Sequence, residues 1–410
     1  MTNFLHPFAA LRPEPGRAAD VIAPPYDVVS TAEARALAAG RPSSFLHISR
    51  PEIDLPEGSS PYSEEAYTRG AANIRKLRES GVLVRETRPS YYVYRMTSAG
   101  REQTGVACVA SVAAYESNRV RKHELTRPDK ENDRVRNIAT LDAQTGPVLC
   151  AYRGNVTLRD TLRRLAAATP TLQAVGPNDV LHSVWRVDDG SAAAALSGAL
   201  GALDTLYIAD GHHRAAAAVR VASERRARGA DDASQFFLVV AFPHDEMRIL
   251  DYNRVVRDLY GQSREAVLGR IRESFEVEPS AVPVAPAASE TFGMYLAGAW
   301  YRLRIRSALV PKDDPVASLD VSLLQDRLLG PILGIGDPRT DPRIDFVGGV
   351  RGLGELERHV NAGGAAVAFS LHPTRMDQLM AVADANRLMP PKSTWFEPKL
   401  ADGLLTHVLD

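Results

Sequence analysis

Cysteine is nearly absent from this 410-residue sequence: only Cys108 and Cys150 occur. Both sit inside apolar runs, TGVACVASV and GPVLCAY, so they read as small core residues. Neither a disulfide framework nor a thiolate metal site is supported. Excess charge is missing too. Forty-nine Lys and Arg oppose 50 Asp and Glu, for a formal net charge of -1. Such a balance supplies no global field for drawing the chain onto nucleic acid or an anionic membrane. No apolar stretch approaches the roughly 18 residues that a membrane helix needs. The opening MTNFLHPFAALRPEP lacks the basic-then-apolar order of an export signal, and Pro13 and Pro15 interrupt it. The expectation is a cytoplasmic protein with a small-molecule substrate and neither membrane nor nucleic-acid partners.

What is present is ordinary globular material, 45% hydrophobic and 24% charged, in a chain too long for one core. Segments of helical and strand period alternate throughout, which predicts an α/β (mixed α+β) fold. Three parts are expected: a helix-and-loop segment over 1–90 packing on the core, a phosphate-binding catalytic core over 91–260, and a C-terminal α/β domain over 261–410. Within the first, TAEARALAAG and YSEEAYTRGAANIRKLRESG read as helices stopped by Gly40 and Gly81. SFLHISRPEI reads as a strand ending at Pro51. SYYVYRMT and TGVACVASVAAY read as paired strands, with SAGREQ as their turn.

The most informative segment is LYIADGHHRAAAAVRVA. A short apolar run ends in Asp210-Gly211, and a strong helix former follows at once. Strand, tight glycine turn and helix start bring several backbone N–H groups and the positive helix end to one point. Arg214 offers a planar fork for phosphate oxygens, His212 and His213 can donate to the same anion, and Gly211 lets backbone approach closely. Zinc is not expected here, because adjacent histidines rarely both reach one metal and HExxH spacing is missing.

The second cluster runs from Arg121 to Arg134, RKHELTRPDKENDR. Alternating charge ordinarily means a solvated face. Pro128 keeps the helix from starting before about residue 129, which leaves His123 and Glu124 on a loop at a strand end, where catalytic groups often sit. Glu124 reads equally as a general base or as part of a salt-bridged surface. Three further features are candidates as well. Asp27 ends the rigid turn PPYD, as a structural residue or a substrate contact. Asn253 and Arg254 follow a strand that could reach the same cleft. Lys392, Ser393 and Lys399 belong to PPKSTWFEPK, which could order over a phosphate or anchor the tail through Trp395 and Phe396.

IADGHHRAAAA and RKHELTRPDKENDRVRNI resemble two elements of the partition-protein-B/sulfiredoxin superfamily, and most of all its free-serine kinases, which pair a His-Glu element with a DGHHR loop. The resemblance implies Glu124 as the base that activates a hydroxyl, His123 as its neighbour, and Asp210, Gly211, His212, His213 and Arg214 as the phosphoryl-donor site. HPFAALRP, APPYDVVS, SFLHISRPEIDLP, HELTRPDKENDR, YIADGHHRAAAA, FPHDEMRILDYNRVV and MPPKSTWFEPK resemble domain-of-unknown-function family 1015 over nearly the whole length. The expected architecture is therefore a partition-protein-B/sulfiredoxin-like core with added N- and C-terminal α/β segments. Its expected activity is a kinase making O-phosphoserine from L-serine with ATP, ADP or pyrophosphate. Mg²⁺ near Asp210 would bridge the phosphates, and Lys122, Arg127, Lys130 and Arg134 would neutralise charge. The alternatives are a nucleotide-binding regulatory module of the partition-protein-B type and a phosphate-releasing hydrolase.

Overall fold

The computed structural model describes residues 3–229 and 233–410. The fold is mixed α/β, and the chain divides into two compact units. One comprises the residues up to Met247 together with Pro398–Asp410; the other is Arg248–Glu397. The division thus falls near 247 and 397. The first ninety residues belong to the first unit, and the last thirteen return to it.

The first unit is built on a nine-stranded sheet. In chain order its strands are β1 (Leu5–His6), β2 (Tyr91–Ser98), β3 (Arg101–Ser111), β4 (Val120–Arg121), β5 (Val148–Tyr152), β6 (Leu172–Val175), β7 (Leu181–Val187), β8 (Leu206–Asp210) and β9 (Phe236–Pro243). The spatial order is β4-β8-β5-β9-β3-β2-β7-β6, with β1 added against β3. Only β4/β8 and β5/β9 run parallel. The β2–β3 hairpin turns at Ala99-Gly100, both at positive φ, the backbone of the tight turns whose twist suits a hairpin. Two helices matter below: α1 (Pro128–Leu141) and α2 (His212–Ala227). Proline at the first position of α1 costs no hydrogen bond, because that N–H has no helical partner. Cys108 and Cys150 are buried free thiols in the sheet core, as their apolar surroundings imply.

A second, four-stranded sheet ties distant parts of this unit together. Ala10–Pro13 lies between Leu83–Arg85 and Thr406–Val408, and the last of these also pairs with Ala143–Gln144. The second unit has its own antiparallel sheet, ordered Phe275–Ser280, Ala299–Ile305, Thr291–Leu296, Val367–Leu371, Tyr252–Val256, Ile344–Gly348. No helix is long and apolar enough to cross a membrane among the described residues.

One expected strand is helical. SFLHISRPEI folds as a helical turn, Leu46–Ser49, and a 3₁₀ turn, Pro51–Asp54. Phe45, Leu46, Ile48 and Ile53 are all buried. A short run buried on all sides has no period from which helix and strand can be told apart. The run TGVACVASVAAY likewise ends early, because Val112–Glu116 turns helical.

Sheet packing leaves no room at Gly105. A Cβ there would overlap the Ala241 carbonyl oxygen and lie 2.7 Å from Phe242 Cδ1. Gly105→Ala is expected to destabilise the first unit by about 1–3 kcal/mol through overpacking, read as a lowered midpoint in urea unfolding. An unchanged midpoint would contradict this packing.

Candidate functional site

Strand β8 delivers Asp210 to the start of α2 through a register shift between Ile208 and Asp210, an irregularity that re-aims side chains at strand ends. Gly211 follows at φ 95°, a left-handed conformation suited to glycine, and caps α2 with no side-chain hydrogen bond. The first amides of α2 therefore face outward without an internal side-chain acceptor, which makes this helix end a place for an anion. A Cβ on residue 211 would also lie 2.9 Å from Arg214 Nε. Glycine is needed here for space as well as for conformation.

Arg214 is buried beneath that turn. Nη1 donates to the Pro147 carbonyl, Nη2 lies 3.7 Å from Asp210 Oδ2, and Nε has no partner. Burial alone would lower its pKa, but Asp27, Asp210 and Asp402 raise it on balance, so the guanidinium stays charged. Asp210 is desolvated as well, yet Lys399 at 3.1 Å and Arg214 hold its carboxyl below the ordinary range. Two cations already balance this carboxylate. The expected Mg²⁺ does not fit there, because a dication would displace Lys399 and face Arg214.

Both histidines of the loop are acceptors at Nε2. The His123 backbone N–H reaches His212 at 3.4 Å, and the Arg127 N–H reaches His213 at 3.0 Å. Neutral rings accepting at Nε2 carry their proton at Nδ1. Burial moves the pKa of His212 well below its usual value and lowers that of His213. They are hydrogen-bond donors rather than cations. His123 is held down to about 4 by burial, against a hydrogen bond to the Ile208 backbone that raises it. Its ring meets His212 edge to face at 4.5 Å between centroids. Glu124, with 55% of its side chain exposed, places Oε2 3.7 Å from His212 Nδ1.

Behind the loop a cavity is lined by Tyr26, Arg134, Asn137, Thr145, Gly146 and Arg214, among others. Asp133 holds Arg134 at 2.9 and 2.7 Å, and the guanidinium lies 3.9 Å over the Tyr26 ring. Asp402 is almost wholly buried, with Oδ2 unpartnered. Desolvation pushes its carboxyl up to about 7, with Arg214 pulling down and Asp27 pushing up. Sequence reasoning missed Asp402, Tyr26 and the Thr145-Gly146 segment. Asp402 had one visible signal, a lone carboxylate in the apolar run LADGLL.

The structure therefore brings Asp210–Arg214, His123, Glu124, Arg134, Asp27 and Lys399 into one neighbourhood. Lys122, Arg127 and Lys130 sit beside it but are engaged elsewhere. Lys122 lies over the Tyr115 ring, Arg127 pairs with Asp129, and Lys130 donates to the Tyr62 hydroxyl. Asn253, Arg254, Lys392 and Ser393 are held within the second unit. Asn253 bonds Asp251 and the Leu371 amide, Arg254 donates to the Tyr252 and Lys392 carbonyls, and Ser393 donates to the Pro390 carbonyl.

The family described as a protein of unknown function (DUF1015) matches residues 5–322. The chain belongs to this family. No curated protein matches the sequence. Among solved structures, the chain is similar to a free serine kinase variant in complex with ADP, at 14% identity and TM-score 0.35, covering 71% of this chain and 87% of that one. It is also similar to C-terminally truncated SbnI from Staphylococcus aureus, at 10% identity and TM-score 0.36, covering 74% and 87%. A conserved hypothetical protein from Pyrococcus furiosus aligns at 12% identity and TM-score 0.33, over 73% and 94%.

Asp402 makes stability depend on pH in a direction opposite to that of most carboxylates. Its folded pKa of about 7 lies above that of an unfolded aspartate, so the folded state holds the proton more tightly. Stability from this group is lost as pH rises from about 4 through 7, by roughly 1.4 kcal/mol per unit of difference. Asp402→Asn should remove that loss, so the variant gains on the wild type in thermal unfolding between pH 5 and pH 8. A gap between the two that does not change with pH would contradict the assignment.

Proposed function

We propose that this family member is a small-molecule phosphotransferase, with free L-serine as acceptor and a nucleotide or pyrophosphate as donor. The observation that carries the reading is the uncapped start of α2 behind Gly211, backed by Arg214 and Arg134 on one cavity. Phosphoryl transfer asks a protein mainly for position and charge neutralisation. The α2 amides, the Nδ1–H groups of His212 and His213, and the two arginines offer both to a chain of phosphates. Glu124 stands at the open side of the same loop, beside His212. In the reaction the serine Oγ attacks the terminal phosphorus, and the bond from phosphorus to the leaving oxygen breaks. The hydroxyl proton passes to the Glu124 carboxylate and from there to solvent. The likeness of the His-Glu element and the DGHHR loop to those of free-serine kinases supports the choice of acceptor.

Phosphoserine formation from L-serine tests this with ATP, ADP and pyrophosphate in turn, each as its magnesium salt. Glu124→Gln should lower turnover by about 10²–10⁴-fold, the usual contribution of a general base, while sparing donor binding. Full activity in that variant would remove Glu124 from the base role. Donor binding without phosphoserine from any donor would favour the regulatory module, and release of phosphate without acceptor would favour the hydrolase.

A further inference from the structure

Histidines 212 and 213 do not converge on one point, but two segments far apart in sequence do. The donor atoms of His123, Glu124 and His212 all lie within 4.8 Å of one another, the one such group of His, Cys, Asp or Glu among the described residues. We propose that these three side chains form a site for a divalent transition-metal ion of borderline softness, such as Zn²⁺.

Three observations lead there. The first is His123 Nδ1, a polar atom on a residue only 2% exposed that has no hydrogen-bond partner. The His123 ring bonds the main chain of Ile208, and with Nδ1 unpartnered that bond belongs to Nε2–H. The lone pair is therefore on Nδ1. A ring oriented by a backbone carbonyl through one nitrogen, with the other open, is the common arrangement of a metal-ligating histidine. Secondly, His212 Nδ1 and Glu124 Oε2 are 3.7 Å apart. Two ligands of a tetrahedral ion with bonds of about 2.0–2.1 Å stand roughly 3.4 Å apart, so this pair is already close to ligand spacing. Thirdly, the donor set is two imidazoles and one carboxylate. It suits zinc-like ions rather than Mg²⁺, which prefers an all-oxygen shell. Exposed Glu124 leaves a way in for the ion, and three protein ligands leave a fourth position open.

Binding through His212 Nδ1 moves that ring's proton to Nε2 and gives up the 3.4 Å contact from the His123 amide. At 3.4 Å that contact is longer than the usual N–H bond of about 2.7–3.2 Å and correspondingly weak. The site stands on this geometry alone. Its consequence for activity rests on the role proposed for Glu124: an ion on the carboxylate would occupy the base and inhibit phosphotransfer.

Titration of the full-length protein with Co²⁺, a coloured substitute for Zn²⁺, tests the site without donor or acceptor. The expected result is a visible absorption band of four- or five-coordinate Co²⁺ that saturates at one equivalent and is displaced by Zn²⁺. Glu124→Gln, at an exposed position that does not endanger folding, should weaken binding at least about 10-fold, a loss seen even for groups one step removed from a metal. His212→Gln should abolish the band, with circular dichroism confirming the fold. No band at one equivalent, or a band that survives both Glu124→Gln and His212→Gln, would overturn the proposal. A saturating band in a protein that never makes phosphoserine would uphold the site and sink the kinase reading instead.

Discussion

A buried guanidinium is the constraint around which the first unit is arranged. Arg214 cannot lie beneath the Gly211 turn as a bare charge, because the cost of desolvation would be several kcal/mol. Carboxylates from separate stretches of chain answer it, Asp210 from its own strand and Asp27 from the N-terminal turn, while Asp402 from the C-terminal segment joins them only as pH rises towards about 7.

The same economy of charge separates the roles of the loop residues. Asp210, held by Lys399 and Arg214, has no capacity left for a dication. His212 and His213 are kept neutral by burial, and backbone amides at Nε2 determine which nitrogen bears the proton. Glu124, by contrast with Asp210 and Asp402, projects largely into solvent. Groups that look equivalent in a list of polar residues are sorted by burial into a charge-balancing layer and a reactive edge.

The strand–glycine–helix turn at Asp210–Arg214 was readable from sequence because every part of it is local: an apolar run, a glycine and a helix former in immediate succession. The hairpin at Ala99-Gly100 was legible for the same reason. Asp402 was not, since Arg214, whose charge acts on it, lies 188 positions away and no local period announces their proximity. The helical fold of SFLHIS was hidden because complete burial erases the alternation that would mark a strand. His212 and His213 are neighbours in the chain but accept amides from different residues, whereas His123 and His212, 89 positions apart, have rings in contact.

The return of Pro398–Asp410 to the first unit matters during synthesis. A ribosome completes the 150 residues of Arg248–Glu397 before Lys399 and Asp402 emerge, an interval of roughly 8 to 30 s at 5–20 residues per second. Throughout that interval Asp210 lacks its lysine, Arg214 lacks one of its carboxylates, and the strand at Ala10–Pro13 has one edge bare. The nascent first unit keeps an open sheet edge until Thr406–Val408 arrives to pair with it.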